Sequence, residues 1–351
     1  MGRLAVFKYF LFLMLVAQFV ATGFTIFGLL GQYADPARNT AMAMLVYILP
    51  LLVVINLILM IYWLFRKRWI LGGLAAVTVL CCIPHLLGIW QPSLFSSADN
   101  TKHGIRIATY NVAKFGREVS GFIAEDILTE MKNQNVDILC LQEYLDDSGE
   151  RRNSERYGEY FQHMKRGKAD MVIFSRYPIR DSQTIEFGNT HNSGMWADID
   201  INGRRVRVVN VHMQTTGISR TLRDIGKMEQ QGADVEENAI IRAVYGNYMH
   251  GMAVRARQAD GVAEEISRSP HPVILCGDFN DIPNSYVYHK LLGNLVDGFK
   301  ECGTGWMYTF RGKKRFRIDY IFHDESITGI NYYKQDLTYS DHLPVFMTIV
   351  L

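Results

Sequence analysis

Three long apolar runs crowd the first 90 residues and constrain the chain more than any other feature. They span roughly Phe7 to Leu30, Ala41 to Phe65 and Trp69 to Trp90. Each approaches or exceeds the ~20 residues that an α-helix needs to cross a bilayer. A buried helix of a water-soluble domain is rarely this long with so little charge. Residues 1–90 are therefore expected to form a membrane domain of three transmembrane helices, with the lipid bilayer as its partner.

Basic residues orient such helices, because Lys and Arg stay on the cytoplasmic side. Arg3 and Lys8 open the first run, and Arg66, Lys67 and Arg68 separate the second from the third. The loop between the first two carries Asp35 and Arg38, which cancel. The N-terminus is then inside, and three crossings put everything after Trp90 outside the cytoplasmic membrane. The first run could instead be a cleaved signal peptide, although no convincing A-x-A site follows it. Two remaining spans would leave the C-terminal domain on the same side.

Residues 91–103 (QPSLFSSADNTKH) are polar, with Pro and Ser, and read as a linker. The remainder, 104–351, has ordinary globular composition and enough length for one sizeable core. The formal charge of +2 neither requires nor excludes a nucleic-acid partner. None of the five cysteines has CxxC or Cys/His spacing, which argues against zinc, and small buried hydrophobes are the expected role. One disulfide stays open if the domain is exported.

Short apolar runs recur beyond Ile105: IRIATYNV, VDILCLQEY, DMVIFS, GMWADIDI, RRVRVVNVHM, PVILCGDFN, RIDYIFHD and HLPVFMTIVL. Helical patterns lie at about Gly121 to Asn133 and Val254 to Ser267. Many strands with a few long helices indicate an α/β sandwich or a mixed sheet. The segment Thr215 to Met252 is polar and holds Gly217, Gly226, Gly232, Gly246 and Gly251. It reads as a long loop insertion, a candidate lid or substrate contact.

Polar residues end several strands: Asn111, Glu143, His212, Asp278 with Asn280, and Asp319, while Asp341 and His342 open the last one. Asp278 and Asn280, two apart, point the same way on an extended strand. If strand ends meet at one sheet edge, Glu143, Asp278, Asp319 and Asp341 bring four carboxylates together. Two like charges ~4 Å apart repel by about 4 kcal/mol at an effective dielectric of ~20. Such a cluster needs a cation or protonation, and oxygen ligands suit Mg²⁺ or Mn²⁺. The histidines supply proton transfer or hydrogen bonds to a phosphate. Taken singly, each of these residues reads more simply as a turn or capping residue.

Their joint order carries more. TYNV, LQE, VNVH, GDFND, RIDYIF and SDHLPV resemble the endonuclease/exonuclease/phosphatase superfamily, over about Ile105 to Leu351, and the three-span N-terminus resembles a membrane-anchored bacterial branch of it. The resemblance implies a DNase-like fold, two mixed β-sheets packed as a sandwich flanked by helices. It implies that Glu143 is the principal metal ligand, with Asn111 beside it and Asp341 completing the shell. Asp278 would orient or deprotonate the attacking water, positioned by Asn280. His342, oriented by Asp319, would contact the scissile phosphate or act as base. His212 would donate to the phosphate or leaving group, and Arg255 and Gln258 would support the site. One departure stands out: Ala113 occupies a position where the abasic-site endonuclease branch carries Asp, which makes abasic-site repair doubtful.

The implied activity is hydrolysis of a phosphodiester or phosphomonoester by in-line attack of water, with Mg²⁺ or Mn²⁺ as cofactor. The substrate could be a lipid head group, a nucleic acid or a small phosphoester. No protein partner is implied. An extracytoplasmic nuclease is the alternative, and a non-catalytic binding protein is disfavoured because all the motif residues are present. The basic stretch Arg311, Lys313, Lys314, Arg315 and Arg317 reads as a solvated turn or a phosphate-binding rim.

Overall fold

A computed structural model describes residues 3–92, 104–116, 124–145, 153–168, 170–188, 190–230, 236–312 and 315–351. Among the described residues, twelve strands in two six-stranded sheets form the body of the C-terminal part, beside two short two-stranded ribbons. In chain order they are β1 (Ile105–Asn111), β2 (Ile138–Gln142), β3 (His163–Arg166), β4 (Val172–Ser175), β5 (Ile179–Glu186) and β6 (Ser193–Ile201). Then follow β7 (Arg204–His212), β8 (Val273–Asp278), β9 (Val296–Asp297), β10 (Asp319–His323), β11 (Thr328–Lys334) and β12 (Val345–Val350). The first sheet runs β11-β12-β1-β2-β4-β3 and the second β9-β10-β8-β7-β6-β5. The pairs β1–β2 and β7–β8 are parallel and the rest antiparallel, so both sheets are mixed.

The central strands are apolar on both faces because both faces are covered. Ile107, Cys140, Ile173, Val208, Ile274, Cys276 and Ile321 pack between the sheets. Ala108, Tyr110, Leu139 and Leu141 point the other way, onto the helix Ala124–Asn133. On the far face Val209, Val211 and Leu275 meet Ala259 and Val262 of the helix Glu237–Ser267. The result is the expected sandwich with helices outside. All five cysteines are free, and Cys140 and Cys276 sit in the inter-sheet core.

Three apolar stretches are long enough to cross a membrane: Ala5–Gly31, Thr40–Phe65 and Trp69–Leu86. The middle one begins with Thr40–Met44 and a 3-10 turn, Leu45–Ile48, before the regular helix Leu49–Phe65. Pro50 falls in the first turn of that helix, where a missing N–H costs nothing. Gln18, Asn56, Thr25 and Trp63 link the first two stretches: Trp63 Nε1 donates to Gln18 Oε1 at 3.0 Å and Asn56 Nδ2 to Thr25 Oγ1 at 3.0 Å. Such hydrogen bonds are a common adhesive between helices in lipid.

One expectation needs correction. The stretch 215–252 is not a loop: it forms the helix Ile218–Gln230 and the first half of Glu237–Ser267, with 231–235, including Gly232, outside the described residues. The second helix thus starts well before Val254. Gly226 and Gly246 sit in helix with open space around them, so their presence signalled no turn. At the start of the expected linker, Gln91 belongs to a short ribbon. Trp90 and Gln91 pair antiparallel with Trp306 and Gly305, and residues 93–103 lie outside the described residues.

The sandwich rests on one end of the helical bundle. Its contacts go to the end of the first apolar stretch, the start of the second and the end of the third. His289 Nε2 lies 3.2 Å from Gln32 Oε1, and Tyr47 donates to Asp281 at 2.5 Å. Asn284 Nδ2 donates to the His85 carbonyl at 3.2 Å, and Arg317 to the Gly88 carbonyl at 3.1 Å. Arg66, Lys67 and Arg68, between the second and third helices, mark the opposite end.

Candidate active site

Strand register brings the polar residues to one edge. In the first sheet Asn111 lies beside Gln142, so Glu143 follows at the strand end. In the second, His212 lies beside Asp278 and Asp278 opposite Asp319. Gln142 Nε2 donates to Asn210 Oδ1 at 2.6 Å and locks the two sheets together just behind the site. Gly277 is required there: its φ is +135°, and an added Cβ would lie 2.0 Å from the Val211 carbonyl oxygen.

The side chains then interlock. Asn111 Nδ2 lies 3.3 Å from Glu143 Oε1 and 3.2 Å from Asp278 Oδ2. His212 Nε2 lies 3.8 Å from the same two oxygens. The Asn280 backbone N–H donates to Asp278 Oδ1 at 2.8 Å, while its side chain donates to the Met213 carbonyl at 2.9 Å and to Asp278 Oδ2 at 3.2 Å. His342 Nδ1 contacts Asp319 at 3.0 Å, and its Nε2 lies 3.7 Å from Asp278 Oδ2. Ser340 Oγ accepts the His342 N–H at 3.1 Å and donates to the Asn111 carbonyl at 2.8 Å, tying the last loop to β1. Thr309 Oγ1 accepts the Asp319 N–H at 3.0 Å.

Seven of the expected residues thus converge: Asn111, Glu143, His212, Asp278, Asn280, Asp319 and His342. Asp341 lines the same cavity but is exposed, with Oδ1 3.4 Å from Ser340 Oγ. The alignment of Asp278 and Asn280 does not come from strand alternation. β8 ends at Asp278, and Asn280 has φ 51°, a left-handed turn that folds its amide back onto the carboxylate. Glu143 also has φ 51°. Such conformations cost of order 1–3 kcal/mol and cluster where geometry matters for function.

Arg255 and Gln258 stand behind the site. Arg255 donates to Asp281 Oδ2 at 3.2 Å and to the Gln214 carbonyl at 2.8 Å, and Gln258 Oε1 accepts the Gln214 N–H at 2.8 Å. They brace the ends of β7 and β8. Asp281, Ser340 and Thr309 were not singled out in sequence, although Asp281 lies within GDFND and Ser340 opens SDHLPV; Thr309 carried no signal. The basic stretch is split. Arg317 is no solvated residue but forms a buried pair with Asp297 at 2.5 Å. Arg311 pairs with Asp336, Arg315 lines the cavity, and Lys313 and Lys314 lie outside the described residues.

Burial pushes the Asp278 carboxyl up to about 6, even against the pull of His342. Burial alone would lower His342, but Asp319 and Asp278 override it and raise the imidazolium to about 10. His212 is held below its usual range by burial, which outweighs Asp278.

Oxygens of Asp278 and Asp319 and a ring nitrogen of His342 lie within 4.8 Å of one another, close enough to share an ion. His342 Nδ1 is already engaged by Asp319, however, so that pair acts more naturally as a hydrogen-bonded unit. Glu143 and Asp278 turn oxygens toward the same Asn111 amide. Asn111 Oδ1 accepts the Ala113 N–H at 3.1 Å, which fixes the orientation of the amide, and the converging carboxylate oxygens of Glu143 and Asp278 are the donor type that a hard divalent cation takes.

A two-sheet sandwich with acids and histidines gathered at one edge is the architecture of DNase-like phosphoesterases. The chain belongs to the endonuclease/exonuclease/phosphatase family, whose profile matches residues 108–342. Enzymes of this family are divalent-metal-dependent phosphoesterases and nucleases. Residues 9–88 match a domain of unknown function, DUF8431. The chain is 25% identical over 280 residues to the CCR4-Not complex 3'-5'-exoribonuclease subunit Ccr4 of Phaeosphaeria nodorum, across 64% of this chain and 46% of that protein. It thus spans about half the length of that relative. Among solved structures, an endonuclease/exonuclease/phosphatase from Bacteroides vulgatus shares the fold at TM-score 0.52 and 17% identity, over 71% of this chain and 100% of that one. Another from Beutenbergia cavernae matches at TM-score 0.52 and 18% identity, over 71% of this chain and 72% of that one.

Proposed function

We propose that the chain is a membrane-anchored phosphoesterase that hydrolyses a phosphodiester or phosphomonoester with Mg²⁺ or Mn²⁺. Residues 1–90 serve as the anchor, 91–103 as a connection and 104–351 as the catalytic domain. The basic residues at one end of the bundle support a catalytic domain outside the cytoplasmic membrane. The observation that carries the reading is the single network joining Asn111, Glu143, His212, Asp278, Asn280, Asp319 and His342 across two sheets.

Glu143, Asn111 and Asp341 would hold the cation, which when bound neutralises charge developing on the phosphoryl oxygens. Asp278, with its raised affinity for a proton, takes one from the attacking water, and Asn280 fixes its orientation. His342, cationic because Asp319 faces its Nδ1, presents Nε2–H to a phosphoryl oxygen. His212, neutral by burial, offers its ring to the leaving oxygen.

The test is hydrolysis of a chromogenic phosphodiester and of a phosphomonoester by the full chain, with Mg²⁺, with Mn²⁺ and with EDTA. EDTA should abolish turnover. His342→Ala should lower kcat by about 10²–10⁴ while the fold persists. Metal-independent turnover, or near-normal rates in that variant, would discard these roles.

A further inference from the structure

The cavity above the acids and histidines is not closed by the sandwich alone. Its volume is about 1750 Å³, beyond the ~300–1,000 Å³ of an ordinary small-molecule site. Its lining includes Asn111, Glu143, Asp278 and His342 of the sandwich. The lining also includes Pro50, Ile83, Leu86 and Leu87, from the first turn of Leu49–Phe65 and the end of the third apolar stretch. Those ends belong to the part of the bundle that would meet the bilayer surface.

The mouth is aromatic. Trp90 and Trp306 face each other across a two-stranded ribbon and are 44% and 68% exposed, and Phe316 nearby is 39% exposed. Amphipathic rings of this kind settle at the level of lipid head groups. Arg315, stacked over Tyr308 at 4.8 Å, adds a cation beside them. The docking is built in. Tyr47 of the second apolar stretch is bonded to Asp281, which Arg255 holds from the other side, next to Asn280.

A nucleic-acid groove would instead show a row of cations with stacking rings. The described cations lining this cavity are Lys114, Arg255, Arg315 and Arg317. Two are committed, Arg255 to Asp281 and Arg317 to Asp297.

We infer that the substrate is a phosphoester carrying a hydrocarbon tail, drawn from the leaflet on which the sandwich rests, with the tail seated between the apolar helix ends and the Trp90–Trp306–Phe316 mouth. The inference rests on the phosphoesterase reading above. Water adds to phosphorus, the P–O bond to the leaving alcohol breaks, and a proton reaches its oxygen. The tail stays in apolar surroundings throughout.

The full chain in lipid nanodiscs tests this. The probes are methyl, butyl and octyl esters, each as the alkyl phosphate read by phosphate release and as the alkyl 4-nitrophenyl phosphate read by nitrophenolate. The expected result is a rise in kcat/KM of at least tenfold from methyl to octyl. Trp306→Asp combined with Phe316→Asp should flatten that rise to below threefold. Both substitutions are at exposed positions, and partition of the ester into the disc is the same for both proteins, so the slope reports the mouth itself. Equal rates for methyl and octyl overturn the inference, as does faster cleavage of a 20-nucleotide single-stranded DNA. An unchanged slope in the double variant also overturns it. If the methyl ester is hydrolysed and the slope is flat, only the tail is lost from the account. If no ester of either series is hydrolysed, the phosphoesterase reading falls first.

Discussion

In the sandwich the large apolar side chains point inward, and Ile107, Leu139, Ile173 and Leu275 are fully buried; in the apolar helices Phe10, Phe19, Leu51 and Ile58 lie on the outside. The polar interiors differ as well. The bundle buries uncharged groups, Gln18, Thr25 and Asn56, which bond to one another. The sandwich buries ions in pairs, Arg207 with Asp198, Arg255 with Asp281 and Arg317 with Asp297. With the bundle in a bilayer, as proposed, the two parts answer to different reference states. A water-soluble domain that loses one member of a buried pair keeps an uncompensated charge, which water would have solvated in the unfolded chain. A helix in lipid finds other partners for a lost hydrogen bond before and after assembly.

The sharpest way to break this contrast is Asp297→Ala. Asp297 receives two bonds from Arg317, accepts from Tyr288 at 2.7 Å and caps the helix Gly298–Cys302. Its removal strands a guanidinium that is 1% exposed. The expected loss is about 3–5 kcal/mol in denaturant unfolding followed by tryptophan fluorescence. A loss below about 1 kcal/mol would mean that water reaches Arg317 and that the pair is no different from a surface one.

A pH profile sharpens the same point within the site. Burial raises the Asp278 carboxyl to about 6, so the carboxylate needed to accept a proton is lost as pH falls through that value. kcat/KM should then fall about tenfold per unit on the acid side. Higher Mg²⁺ favours the charged form and should move the limb to lower pH. A profile flat from pH 7 to 4.5 would remove Asp278 as the proton acceptor. On the alkaline side His342, raised to about 10 by Asp319 and Asp278, should leave a broad plateau.

Much of this architecture was legible in the sequence, and the gaps have a pattern. All eight apolar runs beyond Ile105 became strands, because central strands covered on both faces must be continuously apolar. The longer strands that escaped notice, β3, β5 and β11, are each at the edge of a sheet. Edge strands face water, and His163–Arg166 or Ile179–Glu186 carry the charges that suit it. The helices of 218–267 were obscured by glycines that pack against little, Gly251 on the Thr215 carbonyl excepted. The motif residues could be read because each lies at or within a few residues of a strand end. The Gln142–Asn210 bridge could not, since the two residues lie far apart in sequence and meet only when the sheets stack, nor could the bond of Ser340 to the distant Asn111 carbonyl.

The smallest expected effect completes the contrast from the bundle side. Gln18 accepts from Trp63 and donates to Thr22 at 2.9 Å and Asn56 at 3.4 Å, so Gln18→Leu removes three bonds at once. In water-soluble cores, stranded donors would cost about 1–3 kcal/mol each. In lipid, interhelical hydrogen bonds average only about 0.6 kcal/mol, because the separated helices also satisfy these groups. The leucine gains dispersion contacts with the neighbouring Trp63 ring, which offsets part of the loss. Unfolding of the full chain in mixed micelles should therefore register less than about 2 kcal/mol, well under the effect of Asp297→Ala. Comparable losses in the two variants would mean that the bundle interior is as exacting as the sandwich, and the apolar exterior would then be the only physical difference between them.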